Sequence, residues 1–94
     1  MALFDLVGRR WVLRIIWEMH QAPAPLTFRA LRVACGEISS SVLTRRLADL
    51  TAAQLVTSTG AGYVLTATGQ DLVASLGPLL EWSKHWAQEL DRHD

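Results

Sequence analysis

A mainly α-helical domain carrying one small β-hairpin is the fold that these 94 residues predict. Three observations carry that expectation. Apolar residues recur at helical spacing through most of the chain; the spacing changes once, to alternation, between Leu55 and Leu65; and two short helical segments meet at a turn containing Gly36. Two short helices joined at a glycine turn and followed by a two-stranded hairpin have the order of a winged helix-turn-helix.

From Leu3 to Met19, apolar residues are too dense for a simple amphipathic surface helix. The spacing predicts a short helix, a kink near Gly8, and a buried second helix ending near His20. Two prolines between Gln21 and Pro25 then open a loop. Thr27 can cap a short helix from Phe28 to Ala34, with Leu31 and Phe28 turned inward. After the break at Cys35, Gly36 and Glu37, Ile38 suits a hydrophobic staple and Ser39 an N-cap. The helix they open runs through Val42, Leu43, Leu47 and Leu50. Leu55 to Thr59 and Tyr63 to Leu65 alternate around Gly60, Ala61 and Gly62, the pattern of a hairpin with a glycine loop. Thr66 or Thr68 opens a final helix reaching about to Arg92, with a bend expected at Gly77 and Pro78.

Half of the chain is apolar, enough for one core, and the length is too short for two, so residues 1–94 read as a single domain. Nine basic and nine acidic residues cancel, yet they are unevenly placed. Arg9, Arg10, Arg14, Arg29, Arg32, Arg45 and Arg46 face only Glu18 and Glu37 across the stretch from Arg9 to Arg46, whereas the chain from Leu47 onward is acidic. A basic half suits an anion-facing surface; an uneven but idle surface is the alternative. The single cysteine, Cys35, has no internal disulfide partner, and the N-terminus lacks the features of a secretory signal. A reducing cytoplasm is expected. Arg14 and Glu18 interrupt the most hydrophobic stretch, so no membrane association is expected.

In a helix-turn-helix the second helix enters the major groove by its N-terminal residues. With Val42, Leu43, Leu47 and Leu50 inward, helical spacing leaves Ser40, Ser41, Thr44 and Arg45 outward, with Ala48 beside them. Hydroxyls can bond base edges or phosphates, and an arginine can take a guanine or a phosphate. Ser39 and Arg46 complete that helix's candidate set, while Arg29, Arg32, Arg9 and Arg10 suit flanking phosphates. Alternatively, the serines merely start a helix and the arginines are solvated charges.

Three stretches, "LFDLVGRRWVLRIIW" from Leu3, "ISSSVLTRRLADL" from Ile38 and "YVLTATGQDL" from Tyr63, together resemble the HxlR family of bacterial regulators, relatives of the MarR group. The resemblance covers nearly the whole chain. It implies a winged helix, a homodimer built from the first and last helices, and binding to operator DNA. Gly8, Arg9, Arg10 and Trp11 stand where the family has GGKW, with Arg10 keeping the basic charge. Ser39 to Leu50 resembles the family's recognition helix, with Ser40, Ser41, Thr44 and Arg45 toward DNA and Arg46 at a basic position. The chain departs from the family at three places. Its wing is shorter and lacks Lys and Arg, which lends little support to a groove or backbone grip by Thr57 to Tyr63. Gln54 stands where a helix-ending glycine is usual. No cysteine lies near the N-terminus, and Cys35 occupies the turn, where an inert buried thiol is expected.

Trp82 and Trp86, one helical turn apart, extend the stripe of Leu79 and Leu90. With Leu3, Phe4 and Val7, this stripe is expected to form a homodimer interface. Two alternatives stay open: an intramolecular cap over Trp17, and the wall of a pocket for a small aromatic effector. Glu81, His85, Glu89 and His93 recur every four residues, a pattern closer to a solvated ion-pair row than to a metal site. Neither a phosphate-cradling glycine loop nor a nucleophile elbow occurs. The expected function is therefore non-enzymatic and without a cofactor: a homodimeric regulator binding double-stranded DNA at a roughly palindromic operator. A winged helix used for protein interaction, without sequence-specific DNA binding, is the alternative.

Overall fold

A computed structural model describes residues 2–92. The chain forms α1 (Ala2–Val7), α2 (Val12–Gln21), α3 (Phe28–Ala34), α4 (Ser40–Ala52), β1 (Val56–Thr59), β2 (Gly62–Leu65) and α5 (Ala67–Arg92). This is the winged helix-turn-helix order that the sequence predicts.

The core gathers around α2, which buries Val12, Ile15, Ile16 and Met19 along one stripe. Leu31 of α3, Leu43, Leu47 and Leu50 of α4, Leu55, Val56 and Val73 pack with them. Leu31, Leu43 and Leu50 are fully buried. Truncating any of these leucines to alanine costs about 2–5 kcal/mol.

The kink expected near Gly8 falls in the break between α1 and α2, residues 8–11, whose left-handed residue is Trp11, with φ 78°. The amide of Gly8 donates to Phe4, closing the last turn of α1, and the Arg9 amide to Leu6 begins the turn. Both short-helix caps fall where the sequence places them. Thr27 accepts from the Ala30 amide at 3.1 Å and Ser39 from the Val42 amide at 3.2 Å. Ile38 is buried ahead of that cap, in the same core as Leu43.

The hairpin pairs Val56 with Leu65 through Thr59 with Gly62. A third segment joins its edge, as Leu26 and Tyr63 exchange backbone hydrogen bonds at 3.1 and 2.7 Å. Gly62, at φ 138°, makes this approach feasible, since a Cβ there would stand 2.5 Å from the Leu26 carbonyl oxygen. Thr66 is the residue that opens α5. Its hydroxyl accepts from the Gly69 amide and donates to the Gln54 carbonyl, tying the helix start to the end of α4.

Helix α5 runs through Pro78 unbroken. The carbonyl that proline leaves without its usual partner belongs to Ala74, an exposed residue. The distal half of α5 carries no buried residue and contributes to a longest molecular dimension of 47 Å.

Candidate nucleic-acid interface

Helix α4 is seated by its inner face and presents its outer one. With Leu43, Leu47 and Leu50 in the core, Ser40, Ser41, Thr44, Arg45 and Ala48 are exposed. The hydroxyl of Ser39 serves the cap and lies 3.4 Å from that of Ser41, so these two side chains organise the first turn.

Of the seven arginines in the basic half, four are engaged within the fold. Arg9 reaches Asp49 at 2.8 Å, and Arg46 reaches the other oxygen of the same carboxylate at 2.8 Å. Arg46 is only 16% exposed and its Nε is buried without a partner, so this arginine turns inward although α4 carries it. The hydrogen bond from Arg9, aided by the charges of Arg9 and Arg46, holds the Asp49 carboxyl below the usual carboxylate range. Arg32 donates through Nε to the Ile38 carbonyl at 2.8 Å, bracing the turn between α3 and α4. Arg14 links Glu18 of its own helix to the Ala34 carbonyl.

Arg10, Arg29 and Arg45 are exposed and, among the described residues, form no ion pair. Arg45 lies in the outward face of α4 and Arg29 in the first turn of α3. The guanidinium of Arg10 stands 5.8 Å from the Trp11 ring centroid. Residue type alone gives all seven arginines a surface charge; which of them the fold consumes depends on contacts between segments distant in sequence. The signal available was Asp49 three residues after Arg46, a helical ion-pair spacing.

The wing exposes Thr57, Ser58 and Thr59 and carries no cation. The Thr59 hydroxyl is used in its turn, donating to the Gly62 carbonyl and accepting from the Ala61 amide. Cys35 is buried in the turn, and burial pushes its thiol above the ordinary value, against the opposing pull of Arg14. A thiol so placed is a poor nucleophile.

The second apolar surface lies away from α4. Phe4 is 66% exposed, Trp82 56% and Trp86 52%, and Leu3, Leu79 and Leu90 are also exposed, while Val7 is half-buried. The rings of Trp82 and Trp86 stack with centroids 5.5 Å apart. Glu81 and Glu89 pair with Lys84 and Arg92 at 3.4 and 3.1 Å rather than with histidines. The fourth member of the suspected row, His93, lies outside the described residues. Among those residues, no cluster of three or more metal-ligating side chains occurs, and no helix is long and apolar enough to cross a membrane.

A capped helix seated across a glycine turn, with a hairpin behind it, defines the class: a winged helix-turn-helix of the kind that transcriptional regulators use. The chain belongs to the HxlR-like helix-turn-helix family, whose profile matches residues 6–91. It is 25% identical over 91 residues to the uncharacterized HTH-type transcriptional regulator MJ0925 of Methanocaldococcus jannaschii, covering 94% of this chain and 85% of that protein. Among solved structures, a "possible HxlR family transcriptional factor" from Thermoplasma volcanium superposes with a TM-score of 0.84 at 27% identity, covering 94% of this chain and 84% of that one. The quinone-bound form of YodB from B. subtilis gives 0.79 at 27% identity, covering 89% and 93%.

Proposed function

We propose that the protein is a homodimeric transcriptional regulator that lays α4 in the major groove of a roughly palindromic operator. The observation that carries this reading is the outward face of α4, where Ser40, Ser41, Thr44 and Arg45 stand exposed on a helix fixed from behind. Arg45 is the base-reading cation; Arg29 and Arg10 take flanking phosphates. Arg46 and Arg32 act indirectly, by holding α4 and its turn in place, and Ser39 acts by capping. Family membership supports DNA as the partner.

The exposed stripe of Leu79, Trp82, Trp86 and Leu90, with Leu3 and Phe4 at the other end of the chain, supports a two-fold dimer. Two such helices read half-sites about 34–36 Å apart. A small aromatic effector is part of the same reading, supported by the quinone held in the YodB relative and by an open cleft between α1, α4 and α5 here. Cytoplasmic residence follows from this role.

Selection of bound duplexes from a random-sequence pool, followed by gel shifts at physiological salt, tests the proposal. Enrichment of a two-fold motif is expected. Binding that stays indifferent to sequence would sink it and favour a protein-interaction module.

A further inference from the structure

Next to Arg45, the outer face of α4 turns into a strip without charge. Thr44, Ala48 and Thr51 follow one another at helical spacing, all exposed, and with Ser58 of β1 they line one open groove floored by Phe28 and Tyr63. No residue lining that groove is ionised at neutral pH, and none is a cation or a carboxylate. What the strip offers a DNA base is therefore the methyl groups of Thr44, Ala48 and Thr51, with the two threonine hydroxyls beside them.

The threonine hydroxyls can meet any base edge, but for the methyl of Ala48 only thymine has a counterpart in the major groove, because its 5-methyl is the one apolar group displayed there. Adenine, guanine and cytosine present donors and acceptors that would lose water against Ala48 and gain nothing. One turn of α4 rises about 5.4 Å, against about 3.4 Å per base-pair step. With α4 laid in the groove as proposed above, Thr44 and Ala48 stand within one or two base pairs of the one that Arg45 meets.

We propose that Ala48, together with the methyl of Thr44, is a specificity determinant that reads thymine 5-methyl groups beside the base taken by Arg45. This rests on the DNA-binding reading above and goes beyond it by naming the base that the uncharged strip selects.

The test places the change in the DNA, so that protein stability does not enter. A duplex selected from the random pool is resynthesised with each thymine replaced in turn by deoxyuridine, which removes only the methyl. The expected result is a loss of about three- to fivefold in affinity at one or two thymines per half-site, the worth of a buried methyl group. Ala48→Gly should abolish that loss at one of them while leaving sensitivity to a guanine substitution intact. Sequence-specific binding with no thymine sensitive to demethylation overturns this inference alone. So does an unchanged deoxyuridine penalty at every position in Ala48→Gly. Should the glycine variant fold poorly, the thymine scan with the unmodified protein still decides. Failure of the pool to yield any enriched sequence overturns the DNA-binding reading itself, and this inference with it.

Discussion

Asp49 is the residue on which most of the internal charge converges. Its carboxylate joins Arg9, from the turn after α1, to Arg46 of α4. Because its native titration is depressed, the stability that it contributes is fully present above the unfolded carboxylate value and is lost as pH falls through the native one. Asp49→Asn should destabilise the fold at pH 7 by about 1–2 kcal/mol, the range for a partly exposed pair with charge-assisted hydrogen bonds. The gap between the two proteins should therefore begin to narrow below about pH 4, where the unfolded carboxyl takes up its proton, and close once pH has fallen through the lower native value. Urea denaturation from pH 7 down to pH 3 checks this; a gap that does not narrow at all over that range would remove the ion pair as its cause.

Gln54 makes a second residue-scale case. It sits at φ 63° where α4 ends, a conformation that costs a non-glycine residue about 1 kcal/mol. Gln54→Gly keeps the carbonyl that Thr66 binds, since that bond uses the backbone. The variant should melt a few degrees higher, by about 0.5–1 kcal/mol. A lower melting temperature would mean that the Gln54 side chain has a role which its exposure hides. On the DNA side, Arg45→Ala should weaken specific binding more than non-specific binding, whereas Arg29→Ala should weaken both and flatten the salt dependence. Gel shifts with selected and scrambled duplexes separate the two, and equal losses for Arg45→Ala would contradict its assignment to a base.

At the scale of elements, the helices were legible because their signals are local. Thr27 and Ser39 fall at caps, apolar residues return at helical spacing, and Gly36 marks the turn, so α3 and α4 begin where the chain predicts. The change of period placed the hairpin equally well. Two things are not local and so are not legible: which residue of the break near Gly8 takes the left-handed backbone, Trp11, and the Leu26 segment that closes on Tyr63 across the sequence. The same reason explains the candidate site. Exposure of Ser40, Ser41, Thr44 and Arg45 follows from the periodicity of one helix, but the inward turn of Arg46 depends on Arg9 arriving from another. Gly69 shows how tightly such long-range contacts are set. An alanine Cβ there would overlap the Leu55 carbonyl, on the segment that leads into β1. Gly69→Ala should therefore lower the melting temperature by several degrees through the wing–α5 junction. Calorimetry would expose an unaffected variant, and with it a junction looser than described.

At the scale of the whole molecule, the distal half of α5 is difficult to explain in a monomer. Stacked tryptophans, each more than half exposed, form a patch of the kind that soluble monomers rarely display. With the proposed homodimer built on this patch, replacing Trp82 and Trp86 together by serine should give a monomer in sedimentation equilibrium where the unchanged protein gives a dimer, while circular dichroism of the core helices changes little. Retention of the dimer would move the interface elsewhere.

The neutral sum of charges and the engagement of four arginines within the fold have a consequence for how the protein finds its target. Twice the three free arginines gives six cations for a dimer, so the logarithm of affinity should fall with that of salt no more steeply than about −5. So few cations hold random DNA only briefly. Sliding along the duplex, which relies on that hold, would give way to repeated excursions through solution. A regulator built in this way samples distant stretches of a genome quickly and lingers only where the α4 contacts are right.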